Sequence, residues 1–181
     1  MPKNAQQALA DPSMLKSYAK GRGTILQVVI ETPKGSRNKY ALDDEEKVYR
    51  LKTVLPAGMA FPYDFGFIPS TEAEDGDPLD VLVLMDEPAF PGCVLQCRLI
   101  GVIEGEEVAG KKSVRNDRLI AVAKKNHSWS DIQHIRDLDD RFCRELEQFF
   151  VDYHKLSDEK FRVIGVRGPK TAHKLVRKHK K

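Results

Sequence analysis

The run Val81-Leu82-Val83-Leu84-Met85 reads as a buried strand, and it is entered through Asp75-Gly76-Asp77-Pro78-Leu79-Asp80, which sets three carboxylates beside it. A fold for this chain must bury the strand while keeping those acids at its rim. Asp75 and Asp77, two apart in an extended stretch, can point the same way. Pro78 biases Asp77 to extended geometry and removes a competing backbone donor, and Gly76 allows a tight turn between the acids. Oxygen-only ligands with no His or Cys nearby suit Mg²⁺, Mn²⁺ or Ca²⁺ rather than zinc or copper. Phosphate chemistry is the natural companion of such ions. An EF-hand loop starting at Asp75 fails, because Leu79 and Asp80 stand where an oxygen ligand and a glycine belong. A DxD phosphotransferase nucleophile fits poorly, since it would follow a hydrophobic strand and Ser70 to Glu74 is polar. A solvated acidic turn before a buried strand is the bland alternative, and the hexapeptide alone leaves it open.

Along the chain, strands come first and a helix later. Strands are expected at Thr24–Glu31, Lys47–Leu51, Asp80–Met85, Val94–Ile103, Arg118–Ala123 and Phe161–Val166, from β-branched and apolar runs punctuated by turn residues. A helix is expected over Asp131–Tyr153, where Leu138, Phe142, Leu146, Phe149, Phe150 and Tyr153 recur at three- and four-residue spacing. Pro169 can open a short second helix with Ala172, Leu175 and Val176 on one face and a basic remainder. Many short strands with one long and one short helix predict an α+β fold, mainly β, built on a small closed barrel with the helices packed outside.

With 41% hydrophobic and 31% charged residues, the composition is that of a soluble globular protein. No apolar run is long enough to span a bilayer, and Met1–Asp11 has no secretory pattern, so no membrane partner is expected and a cytoplasmic location is. Cys93, Cys97 and Cys143, odd in number and without a CxxC pair, read as reduced thiols. The expected organisation is one domain over 1–181, with an N-terminal extension over 1–22, a core over 24–166 and a basic C-terminal helix or tail over 167–181, read as solubilising and partly frayed.

The acidic segment in its wider setting resembles the soluble family I inorganic pyrophosphatases. The resemblance runs through Val28-Val29-Ile30-Glu31, Lys39-Tyr40, Phe61 to Pro69, the Asp75–Asp80 signature with Val81-Leu82-Val83, Pro91-Gly92-Cys93-Val94 and Phe149-Phe150-Val151-Asp152-Tyr153. It implies an OB-like five-stranded barrel and Mg²⁺-dependent hydrolysis of pyrophosphate to two phosphates. The reaction would be an in-line attack of a metal-activated water without a covalent intermediate. Several Mg²⁺ ions would bind, with Mn²⁺ a substitute, and the chain would form a homo-oligomer.

By that resemblance Asp75 and Asp80 bind the tightest metals, Asp77 orients and deprotonates the attacking water, and Glu31 and Glu107 hold further metal. Lys39 grips the departing phosphate and Tyr153 hydrogen-bonds a terminal phosphate oxygen.

Several positions depart from the family pattern. Ala41 stands where a glutamate is common and Phe65 where a tyrosine is common. Lys52, with Arg50 as its competitor, occupies the place of a phosphate-binding arginine. Asn116-Asp117-Arg118 replaces an Asp-x-Lys, and we expect Asp117, the carboxylate there, to reach the metals across an irregular Gly105–Asn116 stretch, with Arg118 near the phosphates. His154 replaces a lysine, and Lys155 is expected to substitute for it. A nucleic-acid module using the basic tail is the competing class, but a net charge of +3 without interleaved aromatics does not call for nucleic acid. A nucleoside polyphosphate hydrolase would share the chemistry but lacks a glycine-rich phosphate loop.

Overall fold

The computed structural model describes residues 11–21, 23–110, 112–155 and 160–181. Nine strands, β1 Ile25–Thr32, β2 Asn38–Leu42, β3 Tyr49–Val54, β4 Asp64–Phe67, β5 Asp80–Leu84, β6 Val94–Ala109, β7 Lys112–Arg115, β8 Arg118–Ala123 and β9 Lys160–Arg167, are joined by two helices, α1 Asp140–Lys155 and α2 Pro169–Lys178. β1, β4, β5, β8 and β6 form a ring that closes because β6 also pairs with β1. Only the β5–β8 pair is parallel. This is the small closed, OB-like barrel expected from the sequence.

β5 and β8 are apolar almost throughout because both of their faces are covered. Val81, Val83, Leu119 and Ala121 share one core with Leu26, Val28, Ile30 and with Ala172 and Val176 of α2. Leu82, Leu84, Ile120 and Val122 share the other with Leu146 and Phe150 of α1. The basic C-terminal stretch is therefore held on its small apolar face rather than frayed, and Thr71 bridges to Lys180 beyond the helix. Of the expected N-terminal extension, residues 1–10 and 22 lie outside the described residues. Within the rest, the Ser17 hydroxyl donates to the Pro69 carbonyl at 2.8 Å and Tyr18 bridges to Leu26.

The approach of β4 to β1 depends on Gly66. A Cβ there would stand 2.0 Å from the Val29 carbonyl oxygen, so only glycine lets the strands come together. Beside this contact the register of β1 shifts between Ile30 and Thr32. Such an irregularity re-aims the intervening side chain, and the side chain here is Glu31.

Three expectations of secondary structure are corrected. The long helix starts at Asp140, not Asp131, and runs to Lys155. Upstream, the Asp137 carboxylate takes the backbone N–H groups of Gln133 and His134, and His134 Nδ1 takes that of Arg136, closing a separate 3₁₀ turn over Ile135–Asp137. Asp139 then accepts the Arg141 N–H at 2.6 Å, the kind of contact that opens a helix. The strand expected at Lys47–Leu51 lies at Tyr49–Val54, where it pairs with β2 in a two-stranded sheet apart from the barrel. Finally, the Gly105–Asn116 stretch is regular: β6 continues to Ala109 and turns back through β7 with Glu106 opposite Arg115.

Candidate active site

The barrel and the β2–β3 hairpin bring charges from distant parts of the chain to one open cavity of about 420 Å³. Its wall carries Glu31 from β1, Lys39 from β2, Lys52 from β3, Asp75 and Asp77 from the loop before β5, and Asp80 at the start of β5. Glu107 from β6, Arg118 at the start of β8 and Tyr153 from α1 complete it. Of the candidates named from the sequence, all but Asp117, Lys155 and Arg50, the competitor of Lys52, meet here.

The acidic loop is built as its residues suggest. Gly76 turns the backbone at φ 92°, a conformation that favours glycine. The Asp77 N–H donates to Asp75 Oδ1 at 3.1 Å, and the Ala73 N–H donates to the Asp77 carbonyl at 2.7 Å. Burial raises the Asp75 carboxyl above the usual carboxylate range, and the charges of Asp77 and Asp80 add to the rise against that hydrogen bond. Burial likewise pushes the Glu31 carboxyl up to about 7; the Leu42 N–H, which donates to its Oε1 at 2.8 Å, opposes the rise, as do Lys39 and Lys52, while Asp80 reinforces it. Carboxylates raised this way are short of positive charge, which a bound cation supplies.

The cationic groups are held in different ways. Lys39 Nζ lies 5.2 Å from the ring centres of both Phe65 and Tyr153. The phenylalanine that departs from the family pattern thus forms one side of an aromatic slot for the lysine. Lys52 lines the cavity, whereas Arg50 is held outside it by Asp43, 2.8 Å from its Nε, and by Glu46. Of the two competing cations, Lys52 is the one that lines the cavity. Arg118 is buried, with its guanidinium over the rings of Phe150 and Phe161 at 5.4 and 5.6 Å. Its Nη1 donates to Asp80 Oδ2 at 2.5 Å and to Asn116 Oδ1, and its Nη2 lies 3.4 Å from Glu107 Oε1.

Two expectations fail here for simple geometric reasons. The Asn116 N–H still bonds the Gly105 carbonyl, so the ladder runs on without a bulge and side chains alternate. Asn116 and Arg118 therefore face the cavity. Asp117 faces away from it, taking the Gly105 N–H at 3.0 Å and Arg115 Nε at 2.6 Å. Lys155, at the end of α1, pairs with Asp152 at 2.8 Å on the surface. The inward position belongs to His154, four residues after Phe150 and eight after Leu146 on the buried stripe of the helix.

His154 and Asn116 are the cavity residues that sequence reasoning undervalued. His154 Nδ1 lies 2.8 Å from the Phe150 carbonyl and Nε2 lies 2.7 Å from Glu107 Oε1. Both ring nitrogens thus face oxygen atoms, and the second ties the helix to the cavity wall at Glu107. The bond from His154, foremost, holds the Glu107 carboxyl below its usual range against the cost of burial, with Arg118 and Asn116 contributing. The helical spacing Leu146, Phe150, His154 was the available signal. Asp44, from the β2–β3 turn, also lines the cavity, and nothing in its sequence surroundings marked it.

Among the described residues, no three His, Cys, Asp or Glu side chains stand close enough together to hold a metal ion by themselves. The carboxylates are instead spread around the wall. This donor set, all oxygen on its open side, suits an ion that keeps several waters and shares itself between one or two carboxylates and substrate oxygens, as Mg²⁺ does.

The sequence profile of the family described as inorganic pyrophosphatase matches residues 28–181. An inorganic pyrophosphatase of Methanosarcina mazei is 38% identical over 153 residues, covering 84% of this chain and 88% of that protein. One from Leifsonia xyli is 42% identical over 141 residues, covering 78% of this chain and 84% of the other. The crystal structure of inorganic pyrophosphatase from Thermus thermophilus superposes with a TM-score of 0.84 at 36% identity, covering 93% of this chain and 95% of that one.

Proposed function

The chain belongs to the inorganic pyrophosphatase family and hydrolyses pyrophosphate to phosphate, and from that premise we propose that the carboxylate-ringed cavity is the catalytic centre, working with Mg²⁺ or, in its place, Mn²⁺. The family generally uses a divalent metal. The observation that carries the assignment is the convergence of Glu31, Asp75, Asp77 and Asp80 on the same cavity as Lys39, Lys52 and Tyr153. A pyrophosphate ion presents negative oxygens at both ends and needs that mixture of cation-holding acids and direct cationic grips.

Asp77 is the base. Its backbone N–H and carbonyl are tied into the loop, while its carboxylate accepts no hydrogen bond among the described residues, leaving it free for a water. Asp75, Asp80 and Glu31, which line the same cavity, would hold the cations. Lys39, aligned by its aromatic slot, neutralises the phosphate that departs, Lys52 grips the opposite end, and the Tyr153 hydroxyl donates to a terminal oxygen. Divalent ions held there would supply charge neutralisation at the phosphate oxygens and acidify the attacking water. The proton passes to Asp77, and the displacement is in line, with no group on the chain becoming phosphorylated.

No helix among the described residues is long and apolar enough to cross a membrane. Three unpaired cysteines support a cytosolic setting, and self-association belongs to the same reading. The test is phosphate release from pyrophosphate by purified protein in Mg²⁺, in Ca²⁺ and in excess EDTA. Turnover is expected in Mg²⁺ and none in EDTA. Ca²⁺ should bind without sustaining turnover, because a larger ion with loose coordination misplaces the water. Undiminished turnover in chelator overturns the reading.

A further inference from the structure

The two walls of the cavity are balanced differently. On one, neither the lysines Lys39 and Lys52 nor the acids Glu31 and Asp75 form an ion pair among the described residues, although both lysines act on Glu31 from a distance. On the other, both carboxylates lie against Arg118: its guanidinium is paired with Asp80 at 2.5 Å, and its second arm lies 3.4 Å from Glu107, whose Oε1 is also 2.7 Å from His154 Nε2. The Asn116 amide sits between them, donating to Glu107 at 2.5 Å and accepting from Arg118. An amide suits this place because it joins the network without adding a further negative charge.

The guanidinium is fixed where it is. Only 5% of the Arg118 side chain is exposed, and it stacks over two aromatic rings. A planar cation reaching carboxylates from two different strands supplies them with positive charge of the kind a divalent ion would bring. We propose that Arg118 is a built-in cation that replaces one divalent ion between Asp80 and Glu107, so that this chain requires fewer metals and gathers them on Asp75, Asp77, Glu31 and the second carboxylate oxygen of Asp80. The inference rests on the metal-assisted reading above. Arg118 is in this sense a positioning residue: it sets where the metals go rather than meeting the reacting atoms. Removing its charge leaves two partly buried carboxylates under-compensated, a costly state that a divalent ion relieves.

The test counts ions, not turnover. Metal-depleted full-length protein, without pyrophosphate, is titrated with Mn²⁺, and bound ion is measured by equilibrium dialysis and by the loss of the free Mn²⁺ spin-resonance signal. Arg118→Gln is expected to bind an additional Mn²⁺ per chain relative to the wild type. Equal numbers and affinities in the two proteins, or a loss of ions in the variant, overturns the inference while leaving the metal-assisted reading standing. Absence of Mn²⁺ binding by either protein overturns both. Should Arg118→Gln fail to fold, wild-type crystals soaked in Mn²⁺ decide it. Anomalous peaks beside Asp75 with the guanidinium still between Asp80 and Glu107 support the inference, and a peak bridging Asp80 and Glu107 with Arg118 swung out overturns it.

Discussion

Asp77→Asn is expected to lower kcat by roughly 10²- to 10⁴-fold, the usual contribution of a general base, with little change in KM. The side chain keeps its size and its place beside Gly76, so the loop hydrogen bonds through the Asp77 backbone persist. An amide, however, cannot take the proton of the attacking water. Steady-state kinetics at saturating Mg²⁺ separate the two effects. A near wild-type kcat contradicts the base assignment, while a large rise in KM at unchanged kcat converts Asp77 into a binding residue.

Lys39→Met is expected to reduce kcat/KM by about 10²- to 10³-fold, the scale seen when one preorganised group facing developing charge is removed. Methionine keeps the unbranched stem in the slot between Phe65 and Tyr153, so packing is retained and charge alone is lost. Because the departing phosphate gains negative charge as the bond breaks, the loss should appear in kcat as well as in KM. A change confined to KM, measured from the dependence of rate on pyrophosphate, contradicts that role.

Much of this was legible in the chain. The acidic segment running into an apolar strand located the cavity rim, because a buried strand forces polar neighbours to its end. The recurring Leu146, Phe150 and Tyr153 located the helix that covers it. What escaped was whatever depended on register. Chemistry favours Asp117 over Asn116, since metals prefer a carboxylate, but a continuous hydrogen-bond ladder from β6 into β7 fixes the alternation and turns Asp117 outward. Charge favours Lys155 over His154, yet the helix presents His154 inward, one position earlier. The start of the helix was hidden because Asp137 and His134 spend their side chains on the backbone, and period alone does not register such a break. Strand β2 carries no β-branched run and none of its residues is fully buried, so pairing with β3 defines it rather than its own composition.

The most direct measurement is the phosphate formed from pyrophosphate in Mg²⁺ by wild type and by Asp77→Asn purified side by side, with ATP as the alternative substrate. The expected result is two phosphates per pyrophosphate consumed by the wild type, a rate lower by the factor given above in the variant, and far slower release from ATP. No phosphate from pyrophosphate with the wild type, equal rates in the two preparations, or ATP cleaved as fast as pyrophosphate contradicts the assignment of this cavity as a pyrophosphatase centre.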